Sequence, residues 1–246
     1  MIAVITAGGT IEGGSGRPAT VKAMLPWEDA LLIDRVLEVA RRCEASRVVV
    51  VGDGAVRSHC GVRVDLALAS VGDGAANLEL ALKCAEADEA LLLFTSDLPF
   101  ITLPAVRDFL DRVGLCDIAM PLAAGAWYER AYPNSSPHVT RLGREHVANG
   151  NLFYFASGNV ARRSLAVAQH LFRTRKSLFA MAKLFDMRLM LRFLTRTLEI
   201  AHIERYAHRR FNLRAQVVRD CDPSLCYDID SFEDYRYALA LKPTLR

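Results

Sequence analysis

Two glycines, one lysine and two aspartates are the residues of this chain best placed to do chemistry: Gly8-Gly9, Lys22, Asp97 and Asp230. Glycines let backbone N–H groups approach anionic oxygens with no side chain in the way, and a nearby ammonium adds a full charge to those dipoles. The order strand, Ala7-Gly8-Gly9, Lys22, helix therefore reads as a phosphate-handling arrangement. Asp97 follows the apolar run Leu91-Leu92-Leu93-Phe94, within Thr95-Ser96-Asp97-Leu98-Pro99. Asp228-Ile229-Asp230 repeats that pattern near the other end of the chain, with Glu233 and Asp234 one helical turn on. Two carboxylates delivered to one sheet edge suit Mg²⁺, a hard cation that takes a few protein oxygens and leaves its other positions to water and phosphates. A single acid of this kind more often caps a helix or closes a turn, so the pair carries the reading.

The elements that must position these residues follow from the hydrophobic pattern. Met1 to Thr6 and Arg47 to Val51 read as buried strands, the second ending at Gly52-Asp53-Gly54. Residues 29–44 place Leu32, Ile33, Val36, Leu37 and Ala40 at helical spacing. Further strands near 62–69, 90–95 and 117–121 alternate with helices near 75–87 and 103–113. This alternation predicts a doubly wound, Rossmann-like three-layer α/β/α domain, with a mostly parallel sheet and its site at the carboxyl ends of the strands. Beyond Pro121 come a loop-like stretch through Pro133 to Pro137, a strand at 151–156, and residues 158–211, helical throughout. Within the last, Leu178 to Leu194 is very apolar, with Arg188, Arg192 and, just beyond it, Arg196 at intervals of four. Arg214 to Val218 and Cys226 to Ile229 could return to the sheet, and Ser231 could cap a last helix over Phe232 to Leu241. The chain is expected to be one domain, 1–246, divided at about residue 121, with the helical elaboration at about 158–211.

At 246 residues such a domain buries a substantial core and needs no staples. Its six cysteines are scattered without a Cys-x-x-Cys, which fits reduced thiols and a cytoplasmic protein. Charge breaks every apolar run before it reaches a membrane-spanning length, and no basic leader precedes the first strand. Net charge is only +3 but uneven: −6 over residues 1–140, +12 over 141–219 and −3 over 220–246. A basic block could face nucleic acid, an anionic membrane or a phosphorylated small molecule. Nucleic acid is disfavoured because the few aromatics there are not interleaved for stacking. An acceptor phosphate is the better match, with Arg141, Arg162, Arg163, Arg173, Arg175 and Lys176 as its candidate ligands. The arginine stripe on Leu178 to Leu194 is expected to face solvent or a second subunit of a homo-oligomer. The six histidines show no ligand spacing, and a Walker A sequence, a Gly-x-Ser-x-Gly elbow and a His-Glu-x-x-His helix are missing.

Taken together, Ala7-Gly8-Gly9, Lys22-Ala23-Met24-Leu25-Pro26, Leu32 to Leu37, Thr95 to Thr102 and Asp228 to Tyr235 resemble the nucleotidyltransferases related to molybdopterin guanylyltransferase. Gly150-Asn151-Leu152-Phe153 is similar to a segment that lines the acceptor pocket in such enzymes. The resemblance implies an NTP-transferase domain of GT-A type in which residues 1–121 bind the nucleotide and 122–246 the acceptor. By it, Ala7, Gly8, Gly9 and Thr10 surround the nucleotide phosphates, Lys22 binds them, Asp97 and Asp230 hold Mg²⁺, and Gly72, Gly74 and Asn77 lie near the base or ribose. Asn151 would meet the acceptor. An acceptor phosphate oxygen would attack the α-phosphorus of an NTP, GTP or CTP being favoured, and pyrophosphate would leave. The chain departs from the usual pattern after Gly9: Thr10-Ile11-Glu12 intervenes, and Arg17 is either the displaced phosphate-contacting arginine or a loop residue. A nucleotide or nucleotide-sugar binding protein that kept this fold and lost turnover is the alternative. Thr6 to Glu12 also resembles the threonine loop of asparaginases, with Thr10 as nucleophile, and the CTP-dependent ligase of coenzyme A synthesis, but the downstream segments of both are absent.

Overall fold

The computed structural model describes residues 1–13, 17–72, 74–136, 138–174 and 186–241. In chain order the strands are β1 (Ile2–Ala7), β2 (Thr10–Gly13), β3 (Arg17–Val21), β4 (Pro26–Trp27), β5 (Ala30–Leu31), β6 (Arg47–Gly52), β7 (Leu66–Ala69), β8 (Leu91–Thr95), β9 (Ile118–Ala124), β10 (Val139–Leu142), β11 (Glu145–Asn149), β12 (Leu152–Phe155) and β13 (Ala215–Val218). The α-helices are α1 (Leu32–Arg42), α2 (Gly54–Cys60), α3 (Gly74–Leu82), α4 (Leu103–Asp111), α5 (Gly125–Ala131), α6 (Gly158–Thr174), α7 (Met187–Leu194), α8 (Ile200–Phe211) and α9 (Phe232–Leu241).

β1, β6 and β8 are apolar at nearly every position because both faces of their sheet are covered. β1 lies parallel to β6 from Ile2↔Arg47 to Ala7↔Gly52, and parallel to β8 from Ile2↔Leu91 to Thr6↔Thr95. Successive side chains of a strand point to opposite faces. Ala3, Ile5, Val48, Val50, Leu92 and Phe94 thus pack on α1 and α4, while Ile2, Val4, Val49, Val51, Leu91 and Leu93 pack on α3 and α6. The result is a three-layer α/β/α domain on a nine-stranded mixed sheet of order β10-β11-β9-β12-β8-β1-β6-β7, with β13 also paired to β9. This is the GT-A architecture.

One strand sets which edge each later segment reaches. β12 runs antiparallel between β8 and β9, whereas β13 runs parallel to β9. Asn151, which precedes β12, and everything that follows β13 therefore lie at the carboxyl edge, and α6, which follows β12, starts at the amino edge.

The structure departs from the sequence reading in several places, and the stretch after Pro121 read as loop-like holds α5, β10 and β11. The stretch between Gly9 and Lys22 is not a plain loop: β2 and β3 pair antiparallel, Thr10↔Val21 and Ile11↔Thr20, where β-branched residues face one another across the ladder. Residues 158–211 are not helical throughout. α7 ends where Arg196 adopts a left-handed conformation (φ 57°), and α8 begins only at Ile200, while residues 175–185 lie outside the described set. Cys226 to Asp230 is not a strand; it leaves a 3-10 turn at Pro223–Leu225 and docks through buried Tyr227 and Ile229.

α1 shows how the frame is secured. Its N-cap is Leu31, whose side chain can accept nothing, so Asp34 accepts the Leu31 N–H at 2.8 Å and also receives His59 Nε2 at 2.8 Å and Arg63 Nη1 at 2.6 Å. Burial acts to raise the Asp34 pKa, but the backbone N–H, His59 and Arg63 outweigh it and hold the carboxyl below its ordinary value. A depressed carboxylate contributes stability above its unfolded pKa of about 4 and loses it as pH falls through the folded value. Asp34→Asn should cost about 1–3 kcal/mol at neutral pH. Urea unfolding should show the gap from wild type narrowing below about pH 4.

Candidate active site

The turn after β8 is tied to its neighbour: Ser96 N–H donates to Thr6 O at 3.1 Å, so Asp97 sits directly above the ends of β1 and β8. Asp97 O in turn accepts the Ile229 N–H at 3.1 Å, which draws the 228–230 segment onto the same edge. Lys22 arrives from the end of β3, where its N–H donates to Gly9 O at 2.9 Å. Its ammonium lies between the two predicted acids, 2.9 Å from Asp97 Oδ2 and 2.8 Å from Asp230 Oδ1. The Lys22 and Asp97 side chains are 10% and 13% exposed, whereas Asp230 is 70% exposed, so the pair is anchored below and open above.

Asp228 joins them: Asp97, Asp228 and Asp230 each offer an oxygen within 4.8 Å of the others'. Burial acts to lower the Lys22 pKa, but Asp97 and Asp230 prevail and raise it. Asp228 is pushed up, first by burial and then, against its hydrogen bond from His138, by the charges of Asp97 and Asp230. Asp234, at the start of α9, accepts Ser231 N–H at 2.8 Å and Asp230 N–H at 3.2 Å on Oδ2, and also Ser231 Oγ at 2.7 Å. With Ser231 Oγ accepting Asp234 N–H at 3.2 Å, the expected cap is in place and the acidic turn is held rigid.

The glycine pair is flanked on both sides. A Cβ on Gly9 would lie 3.4 Å from Lys22 Cδ, and one on Gly8 only 2.8 Å from Asn77 Nδ2. Asn77 is buried and its amide is engaged, accepting Val71 N–H and donating to Ser70 Oγ, both at 2.9 Å. These bonds hold residues 70 and 71 beside Gly8; Gly72 is left-handed (φ +101°), and α3 starts at Gly74. Ala7 is buried at the end of β1, and Thr10 is exposed at the start of β2. The side chain of Arg17 lies outside the described residues, as do those of Arg173, Arg175 and Lys176. Gly8→Ala should force Asn77 aside, and isothermal titration should show nucleotide affinity reduced by roughly tenfold, about 1.4 kcal/mol, with the fold kept.

The acceptor-side expectations divide. Asn151 is held beside the end of β8: its N–H donates to Leu225 O at 2.9 Å and its carbonyl accepts Thr95 N–H at 3.4 Å. Arg141, its Nε donating to Gly143 O at 3.1 Å, lines a cavity of about 630 Å³ together with Tyr128, Tyr132, His138 and His146. Arg162 and Arg163 do not reach it, and here the sequence reading is corrected. Arg162 Nη1 donates to Ala85 O at 2.9 Å, ahead of β8, and Arg163 lies 4.0 Å from Asp117, ahead of β9. Both are at the amino edge, because antiparallel β12 delivers α6 there.

His138 is a residue that sequence reasoning passed over. Its Nδ1 lies 3.4 Å from Asp228 Oδ1 and it lines the cavity, so it joins the acids to that space. Burial acts to lower its pKa, but Asp228, Asp234 and Asp230 raise it. No ligand spacing marks His138 in the sequence. The aromatic floor of Phe100, Tyr128, Tyr132 and Tyr227, with ring centroids 4.9–6.4 Å apart, was equally invisible.

Comparison with known proteins bears on this geometry. A hypothetical transferase from Thermus thermophilus superposes with a TM-score of 0.81 at 27% identity, covering 95% of this chain and 98% of that one. A CMP-2-keto-3-deoxy-manno-octonic acid synthetase complexed with CTP matches at TM-score 0.59 and 17% identity, over 100% and 99% of the two chains. A Mycobacterium tuberculosis protein complexed with manganese matches at TM-score 0.55 and 19% identity, over 97% of each chain. A search of curated proteins found no relative. The MobA-like NTP transferase domain matches residues 3–199; the chain belongs to that family and is a nucleotidyltransferase.

Proposed function

We propose that the protein transfers a nucleoside monophosphate from an NTP, GTP or CTP being favoured, to a phosphorylated small molecule, with Mg²⁺ as cofactor and release of pyrophosphate. The observation that carries this reading is the ammonium of Lys22 held between Asp97 and Asp230, with Asp228 beside them, at the carboxyl edge of β1 and β8. Three carboxylates with oxygens within 4.8 Å of one another are the hard donor set that Mg²⁺ takes, and Asp97 Oδ1 is buried without a hydrogen-bond partner. Asp97 and Asp230 would hold the cation, with Asp228 oriented by His138. Such an ion neutralises phosphate charge and orients the α-phosphate.

The remaining work falls to the chain. Backbone N–H groups at Gly8 and Gly9 bind phosphate oxygens, beside Ala7 and Thr10. Lys22, freed from the acids on its flexible four-carbon stem, follows the β- and γ-phosphates. Gly72 and Gly74 approach the base or ribose, on the loop Asn77 secures, and Arg17 would add a further cation to the phosphates. The acceptor lies in the cavity bordered by Arg141, His146 and His138, with Asn151 beside Thr95. An ionised acceptor phosphate carries the nucleophilic lone pair already, so no general base is required. Its oxygen forms the new bond to the α-phosphorus as the bond to the pyrophosphate oxygen breaks, and catalysis consists of alignment and charge neutralisation. Six free, mostly buried cysteines accord with a reducing, cytoplasmic setting.

Thermal shift against ATP, GTP, CTP and UTP with Mg²⁺ identifies the donor, because a ligand of the native state raises apparent stability by mass action. Pyrophosphate release is then measured over a panel of sugar, polyol and organic-acid phosphates. No stabilisation by any NTP would overturn the nucleotide assignment. Stabilisation with no release on any acceptor would leave a nucleotide-binding protein without turnover.

A further inference from the structure

We propose that α7 is a peripheral docking element for an anionic lipid surface, one that sets the enzyme on a membrane without spanning it. Eleven large hydrophobic side chains are conspicuously exposed among the described residues, and four of them lie in this eight-residue helix: Met187 (86%), Leu191 (61%), Phe193 (43%) and Leu194 (71%). The other seven, Val62 and Leu115 among them, are spread over the chain between residues 62 and 239, and single surface hydrophobics are ordinary. A concentration of four needs a partner.

The helix is fixed in place while it shows them. Asp186 caps it by accepting Leu189 N–H at 2.8 Å, and Leu189, 5% exposed, packs with Leu198 and Tyr206 in a satellite core that includes α8. At about 100° per residue, Met187, Leu191 and Leu194 fall within an arc of about 60°, and Leu189 points to the opposite side. Arg188 lies about 60° beyond the outward arc on one flank, Arg192 follows on the same side nearer the packed face, and exposed Arg196 follows the helix end. An apolar ridge beside a row of arginines is the arrangement of helices that lie in the lipid interface: the ridge enters the acyl boundary while the guanidinium groups meet the headgroup phosphates.

Charge selects the occupant. The only acid on this segment, Asp186, is used as the cap, and the wider block 141–219 carries a net +12. A second copy pairing symmetrically through this face would bring two sets of Arg188, Arg192 and Arg196 together, with Asp186, already engaged as the helix cap, the one acid of each segment to meet them. An anionic bilayer supplies the opposite charge. No helix among the described residues is long and apolar enough to cross a membrane, so attachment would be peripheral, reversible and salt-sensitive.

The test is co-sedimentation of the full chain with vesicles of phosphatidylcholine alone and of phosphatidylcholine with about 30 mol% phosphatidylglycerol. Binding is expected only to the second, with loss at about 0.5 M salt. It should be weakened roughly tenfold or more both by Arg188→Glu with Arg192→Glu and by Leu191→Gln with Leu194→Gln. All four side chains are exposed, so melting temperature and NTP-induced stabilisation should stay at wild-type values and report that fold and nucleotide site are intact. Failure of the wild-type chain to bind anionic vesicles would overturn the proposal, as would binding that both variants leave unchanged. A concentration-dependent dimer, dispersed by the same substitutions without vesicle binding, would assign the face to a second copy instead. None of these outcomes depends on the identity of the acceptor.

Discussion

Asp97→Ala is expected to lower kcat by about 10³-fold or more and to leave the chain folded. Asp97 is carried on the turn that closes β8, its backbone bridged to Ile229, and its Oδ1 is buried without a partner. Its two neighbours are differently placed, Asp228 being engaged by His138 and Asp230 standing largely in solvent. Removing it takes away the most buried of the proposed cation ligands and leaves Lys22 free to stay on Asp230, so the α-phosphate loses both its counter-ion and its alignment. Single-turnover kinetics with saturating NTP, paired with a melting curve, check this. A variant that melts normally and keeps more than about a tenth of wild-type kcat would show that Asp97 takes no part in the reaction.

The second large effect concerns Lys22. With its ammonium between Asp97 and Asp230, Lys22 occupies the place of the proposed cation, and removing it takes a full positive charge from among three neighbouring carboxylates. Lys22→Ala should therefore melt lower than wild type without divalent cations and be stabilised more by Mg²⁺ or Mn²⁺, because the ion no longer competes with a lysine for the same oxygens. Nucleotide affinity should move the other way, falling roughly 10- to 100-fold, about 1.4–2.7 kcal/mol, since the phosphates lose a full charge. Opposite signs for metal and nucleotide are the signature. If both responses matched wild type, Lys22 would be a structural ion-pair partner only. The pH sense is also defined: the Lys22 pKa is raised, so its contribution to stability is complete below the ordinary lysine value and is lost only as pH rises through the folded one.

The fold was largely legible because its signals are local. Leu91 to Phe94 is an apolar run that must be buried on both faces, and Gly52 and Gly8-Gly9 interrupt their strands within the reach of one turn. Such patterns also placed Asp97 at a strand end and Ser231 at a helix cap. The proposed acidic site was legible in part for the same reason: residue types beside apolar segments announced Lys22, Asp97 and Asp230, but not what they would do to one another.

What the amino-acid sequence determined alone, then, is the α/β alternation, the glycine turn after β1, the acids at the ends of apolar segments, and a basic block confined to residues 141–219. Tertiary structure decided the rest. Lys22 and Asp230 are 208 residues apart, and only the crossovers, with β13 parallel to β9, put them 2.8 Å from each other. His138 became an acid's partner through packing against Tyr128 and Tyr227, with no spacing to signal it. Arg162 and Arg163 went to the far edge because a single antiparallel strand reversed the direction of approach. Periodicity records which face of an element is apolar over a few residues; it carries no information on which edge of the sheet a later segment will reach, and that is set by strand order and direction, which exist only once distant segments have paired.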